Sequence, residues 1–233
     1  MPSDAMTQNR YMNGTLTSSV VARLRADIIN GVLPPGSKLR TRELCDRYEI
    51  SLVPMREALS RLVSGGFVQV EDQRGFRVAD VSADDLNDIT NVRLHVEKEA
   101  LRLSIEKGGL AWESNLVAAH HHLSRLPMEM PGAQGVNPEW EQAHTAFHQA
   151  LLAACDSRLL LQLAEQLREQ TSRYRHLSIR AAPPAQNNGW LKRDVAAEHE
   201  ALLNAAVKKD IALANELLEK HFRNTSNLVL KLE

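Results

Sequence analysis

The sequence predicts a mainly α chain. An N-terminal winged helix-turn-helix with a small β-hairpin precedes an all-helical C-terminal bundle of about six helices. Three observations lead there. Two short helices follow a Pro/Gly-punctuated turn, apolar and polar residues alternate on either side of a Gly-containing loop, and the pattern from Ser82 onward is helical throughout.

Met1 to Gly14 is polar and without period, which predicts a flexible tail over residues 1–14. Val20, Val21, Leu24, Ile28 and Ile29 then recur at helical spacing, with Thr17 or Ser18 as cap and Gly31 as stop. "GVLPPGSKL" is a turn. "TRELCDRY" is a short helix capped by Thr41, and "VPMREALSRLVSGG" is a second helix with Pro54 in its first turn and Gly65 at its end. "FVQV", "EDQRG" and "FRV" make a hairpin. These elements form a first domain over residues 15–80.

The second domain, residues 81–233, opens with Ser82 and Asp85 as a capping pair on a long helix ending at Gly108-Gly109. Further helices are expected over 110–126, 138–154, 157–179, 191–208 and 210–230. The turn-rich stretches "PMEMPGAQGVNP" and "AAPPAQNNG" fall between helices.

Composition narrows the function classes. Across 233 residues, 43% hydrophobic and 24% charged, the net charge is −1, so any nucleic-acid surface must be local. The two cysteines, Cys45 and Cys155, are far apart and form no CxxC, which fits reduced thiols. No apolar run reaches membrane-spanning length and no signal peptide opens the chain, so the expected location is the cytoplasm, with no membrane partner.

Lys38, Arg40, Arg42, Arg47, Arg56 and Arg61 gather around the two short helices. Arg56 and Ser51 lie in the turn and early second helix, where a recognition helix presents side chains to base edges and phosphates. Glu43, Asp46, Glu49 and Glu57 are interspersed, so charge alone leaves a solvated helix pair equally open; the hairpin favours a DNA-reading unit.

The helical part carries histidines on apolar stripes. Trp140, His144, Phe147, His148 and Leu151 share one face. Val195, His199, Leu202 and Ala206 share another, and Leu217, Leu218, His221, Thr225 and Leu228 a third. A single buried imidazole is usually a hydrogen-bonded packing residue. Four on three helices are explained together if they converge on one divalent metal, zinc or nickel for example. His120, His121 and His122 are consecutive, so at most one faces inward and a polar surface patch is expected. On the first long helix Arg93 borders the core stripe, with Glu97 available at i+4. Tyr174 lies on an inner stripe with Leu167 and Thr171, either as a core tyrosine or a pocket residue.

Gly31 to Val78 resembles the winged helix of the GntR superfamily of bacterial transcription regulators: a G-x-L-x-P-G-x-x-L turn, an R-E-L helix, an R-E-A-L-x-R-L helix, G-F-V and a wing glycine. That resemblance implies DNA contacts by Arg42, Ser51 and Arg56, with Gly75 at the wing tip. Arg40 stands beside them. Leu52 departs from the pattern, since some members place an arginine there. The helical part resembles the FCD ligand-binding domain of the FadR-type branch, many members of which bind a divalent metal through an Asp/Asn-x-x-x-His pair and two later histidines. His148, His199 and His221 match those histidines, and His144 stands where aspartate is usual.

The resemblance implies a homodimer on double-stranded operator DNA and an effector cavity to which Arg93 and Tyr174 contribute. Four neutral imidazoles would leave a bound ion at +2, which favours an anionic effector such as a dicarboxylate. The expected function is therefore a metal-containing repressor that responds to a small carboxylate, with zinc as the first metal. Two alternatives are a regulator for which the metal itself is the signal and a metal-dependent hydrolase. No H-E-x-x-H spacing supports the hydrolase, and no catalytic residue is assigned.

Overall fold

The structure, a computed structural model, describes residues 4–71, 75–129, 136–181 and 193–230. It divides into two compact units, Met1–Val81 and Ser82–Glu233.

In the first unit, helix α1 (Asp4–Ile29) is followed by strand β1 (Lys38–Leu39), helices α2 (Thr41–Tyr48) and α3 (Leu52–Ser64), and strands β2 (Val68–Glu71) and β3 (Gly75–Val78). Over the stretch expected as a flexible tail, residues 1–14, the backbone is helical from Asp4, and no proline interrupts it between Pro2 and Pro34. Thr17, expected as a cap, is instead fully buried within α1. Thr41 is likewise the first helical residue of α2, and Arg40 occupies the cap position without a side-chain capping bond.

Val20, Leu24 and Ile28 of α1 meet Met55, Leu59 and Leu62 of α3 in a core closed by Phe67 and Val78. The Asp27 carboxylate accepts from the Tyr48 hydroxyl and from Arg47, which ties α1 to α2. The sheet has the order β1-β3-β2 and is antiparallel, with Val68 opposite Val78 and Leu39 opposite Phe76. Two residues are too short for any period, so β1 is invisible in sequence; it exists because the edge of β3 takes a partner. Gly75 opens β3 at φ 95°, a conformation suited to glycine, and a Cβ there would meet open space. The rest of the wing turn, residues 72–74, lies outside the described residues.

The second unit holds six described helices: α4 (Ala83–Lys107), α5 (Leu110–Ser124), α6 (Pro138–Leu152), α7 (Arg158–Ala181), α8 (Val195–Val207) and α9 (Ile211–Leu230). Caps set several starts. The Asp85 amide donates to Ser82 Oγ at 3.1 Å, the Glu139 amide to Asn137 Oδ1 at 3.0 Å, and the Ala197 amide to Asp194 Oδ1 at 2.9 Å. Asp194 thus starts α8 four residues later than the expected 191. The "AAPPAQNNG" connection falls, apart from Ala181, outside the described residues.

Helix α4 packs on α6, α7 and α9, while α5 packs on α6 and α8, and α8 on α9. Leu101, Ile105, Leu116, Phe147, Leu151, Leu202 and Leu218 form the shared core. Trp112 Nε1 donates to the Ala150 carbonyl at 2.8 Å and locks α5 to α6. Among the described residues no helix is long and apolar enough to cross a membrane.

Candidate metal centre and nucleic-acid interface

Helix α3 buries Pro54, Met55, Ala58, Leu59 and Leu62 and turns Leu52, Val53, Arg56, Glu57, Ser60 and Arg61 to solvent. Ser51 is its N-cap but makes no capping bond, so its hydroxyl and the first-turn amides are available to an anion such as phosphate. Arg42 and Arg56 are exposed and, among the described residues, form no ion pair or hydrogen bond. Arg40 pairs with Glu43 at 2.8 Å with both side chains largely in solvent, a contact weak enough to yield to phosphate. Arg61 is held by Glu57 at 2.6 Å. The expected DNA residues Arg40, Arg42, Ser51, Arg56 and Gly75 therefore all lie in one small unit, with Arg42 and Arg56 as uncommitted charges.

In the second unit four histidines converge. His144 and His148 come from α6, one turn apart; His199 comes from α8 and His221 from α9. Their potential ligand nitrogens lie within 4.8 Å of one another, and all four residues are 5% exposed or less. His144 Nε2 and His148 Nε2 are 3.2 Å apart, close to the ~3.3 Å edge expected of a tetrahedral site with bonds near 2.0–2.1 Å. His144 stacks on Trp140 with ring centroids 4.6 Å apart, which fixes its plane.

Burial is the main force on protonation. It pushes the His144, His148 and His199 imidazoles well below their usual range, and neighbouring imidazoles and guanidiniums reinforce it. His221 falls to about 4, again first through burial, although the Glu198 carboxylate resists the shift. All four rings are thus neutral near pH 7, the form that binds a metal.

The donor set fits a divalent cation. His199 Nε2 is buried with no hydrogen-bond partner, as are Nδ1 of His144 and His148. Leaving such a group unmet costs roughly 1–3 kcal/mol; an ion held by the facing Nε2 atoms of His144 and His148 would also satisfy His199 Nε2, while the two Nδ1 atoms would stay unmet. Glu198 lies 2.8 Å from His221 Nδ1, so that nitrogen carries the proton and Nε2 is left for a ligand role. Arg193 in turn donates to Glu198 and to the His221 carbonyl, the latter at 2.8 Å. Glu198 adjoins His199 in sequence, but a neighbouring position on a helix points away from it. Glu198 thus reaches the histidine of the next helix; its only sequence signal is a carboxylate beside a candidate ligand.

Guanidiniums stand around the cluster. Arg93 is buried, with Nε 2.6 Å from Glu97, one terminal nitrogen 2.8 Å from Thr171 Oγ1, and its plane 3.8 Å from the Phe222 ring centroid. The Glu97 pairing weighed from spacing is therefore present, but inside the protein. Arg175 holds Glu141, whose carboxyl stays down at about 2: burial would raise it, and Arg175 and His176 outweigh burial. Arg168 is also buried. The charge of Arg175 acts on His144, and those of Arg93 and Arg168 on His148. Tyr174 is buried on α7.

His120 is the inward member of the three consecutive histidines, set edge-on to Phe147 at 5.6 Å. It shares with His199, Trp140, Asp194 and Glu200 the wall of a cavity of about 360 Å³. Its two carboxylates make that cavity a poor seat for an anion.

The gntR family of bacterial regulatory proteins matches residues 16–78, and the FCD domain matches residues 88–224. The HTH-type transcriptional regulator BphR of Paraburkholderia xenovorans (strain LB400) is 38% identical over 92% of this chain and 85% of its own. The HTH-type transcriptional repressor GlaR of Escherichia coli (strain K12) is 37% identical over 85% of this chain and 88% of its own. The solved structure of E. coli McbR/YncC superposes with a TM-score of 0.73 at 25% identity, covering 93% of this chain and 97% of that one.

Proposed function

Because the chain belongs to the gntR family of bacterial regulatory proteins and carries an FCD domain, we propose that this DNA-binding transcriptional regulator is a cytoplasmic, homodimeric repressor that senses a small carboxylate beside a zinc ion. Similarity to a transcriptional repressor over most of both chains supports the direction of regulation.

One observation carries the sensing half: four buried neutral imidazoles from three helices lie within ligand distance of each other, next to buried arginines. His144, His148, His199 and His221 would hold the ion, which supplies a fixed positive charge for a carboxylate. Nickel fits the same donors. Four neutral ligands leave that charge undiminished, and Arg93 and Arg168 add to it. Arg93 and Tyr174 would bind the far end of a dicarboxylate. A ligand of this kind changes DNA affinity only through its differential affinity for two arrangements of the dimer; a coupling of about 1–3 kcal/mol changes operator binding roughly 5- to 150-fold.

The test combines metal analysis of the purified protein with operator binding across a panel of mono- and dicarboxylates. A stoichiometric ion, and a dicarboxylate effect that disappears on chelation, is the expected pair of results. Control of DNA binding by metal alone would replace the carboxylate reading with metal sensing, and a metal-free protein that still answers dicarboxylates would defeat the metal centre.

Two variants probe single contacts. Glu198→Ala frees His221 to rotate and should weaken zinc binding roughly 10- to 100-fold in competition with a chromogenic chelator, with Glu198→Gln in between. Unchanged affinity in both would remove the carboxylate from the site. Arg56→Ala should cost about 1–3 kcal/mol of operator affinity while leaving melting of the helical domain as it was. Wild-type footprints from this variant would show that Arg56 faces no base.

A further inference from the structure

We infer that Leu52 and Val53 read thymine 5-methyl groups in the operator, an inference that rests on DNA binding by α3 but not on the metal centre. Both residues sit in the first turn of α3, on the face that carries Arg56. Leu52 is 46% exposed and Val53 77% exposed, whereas Pro54 and Met55 next to them are buried and fix the rotation of the helix. The first turn of a solvent-facing helix is where polar side chains are most useful to the chain, because the amides there lack intrahelical partners, in α3 all but position 54, where proline has no N–H. Valine also loses rotamer freedom in a helix. Neither folding nor solvation within this unit favours an adjacent Leu-Val pair at that place.

A duplex supplies what the pair lacks. Ser51 and the free amides of the α3 N-terminus suit a phosphate, the uncommitted Arg56 lies one turn on along the same face as the two apolar side chains, and Arg42 on α2 is also uncommitted. This arrangement draws a polyanion and lays the first turn against base edges. In the major groove the 5-methyl of thymine is the one apolar group, and the other edges are hydrogen-bond donors and acceptors. Leu52 and Val53 can neither donate nor accept, so any other base they cover loses water without a partner in return. Discrimination therefore comes from two sources: apolar contact with a methyl and an unmet polar group elsewhere. An arginine at the Leu52 position would instead select guanine. The departure at this position changes which base is read and does not abolish reading.

The experiment uses the full-length protein and duplexes selected from a random pool. The selected operator is expected to hold thymine at one or two positions adjacent to those that lose preference in Arg56→Ala. Replacing each such thymine by uracil removes only the methyl and should weaken binding roughly three- to five-fold per methyl. In Val53→Ala or Leu52→Ala the same replacement should have no further effect at the matching position, which assigns each side chain to its methyl. Should either alanine variant fail to fold, Val53→Thr, which keeps one methyl, should show an intermediate penalty. Selected sites without thymine there, or uracil penalties equal in the wild type and the variants, would overturn the inference. A protein that selects no sequence at all would overturn DNA binding by α3 along with it.

Discussion

His148→Ala is expected to strip the protein of tightly bound zinc and to make its thermal stability indifferent to chelators. His148 is the most enclosed of the four imidazoles, at 1% exposure. Its ring lies 4.6 Å from that of His144, 5.4 Å from His199 and 5.2 Å from His221, so it touches every other member. Disturbing an outer-sphere partner of a metal ligand costs about 10- to 100-fold in affinity, and removing the ligand itself should cost more. In the wild type, zinc at 1,000 times its dissociation constant would stabilise the fold by about 4 kcal/mol. For a chain of this length that is a melting shift of roughly 8–16 °C on adding EDTA. The variant should show almost none. Elemental analysis beside calorimetry with and without EDTA checks both parts; equal zinc content in the two proteins would mean that the four rings pack against each other and hold nothing.

Without metal, the helical domain should lose stability steeply as pH falls below about 6.5. Each of the four imidazoles has a folded-state pKa below its unfolded value of 6.5. Between those two values the unfolded chain binds protons that the folded chain refuses, so stability falls with pH and the loss is complete only below the folded pKa. For His221, a drop from 6.5 to about 4 corresponds to about 3 kcal/mol by pH 4. His144, His148 and His199 are shifted in the same direction by the same burial, so their losses add to that of His221 as pH falls below 6.5. Carboxylates contribute little in this window: Glu141 stands at about 2, and its stabilisation is lost only as pH falls below 4.5. Urea midpoints of the metal-free protein at pH 7.5, 6.0 and 5.0 measure the effect. His148→Phe should flatten it by removing one of the four protons, and a midpoint that does not move between pH 7.5 and 5.0 would contradict the burial of neutral rings.

Helix type, the stripes and several caps are written locally. Trp140, His144, Phe147 and Leu151 repeat at 3.6-residue spacing, and Ser82 and Asp85 sit three apart. The four histidines could be nominated for the same reason, since each interrupts an apolar face. Glu198 could not, because it stands on the flank of its own helix and meets His221 only through the packing of α8 on α9. Nor could the burial of Arg93, Arg168 and Arg175, whose spacing equally suits surface ion pairs. The exposure of Leu52 and Val53 was similarly hidden; their composition reads as core, and only the rotation imposed by Met55 turns them outward.

By itself, then, the sequence determined the order and kind of the helices, the DNA-reading motif and the set of histidines facing inward, because side-chain direction along a helix follows from spacing alone. Only the tertiary structure decided that those histidines share one place, which carboxylate orients His221 and which arginines lose their water. Those outcomes depend on how helices distant in the chain lie against each other, a choice made by the packing of the whole apolar core rather than by any short run of residues.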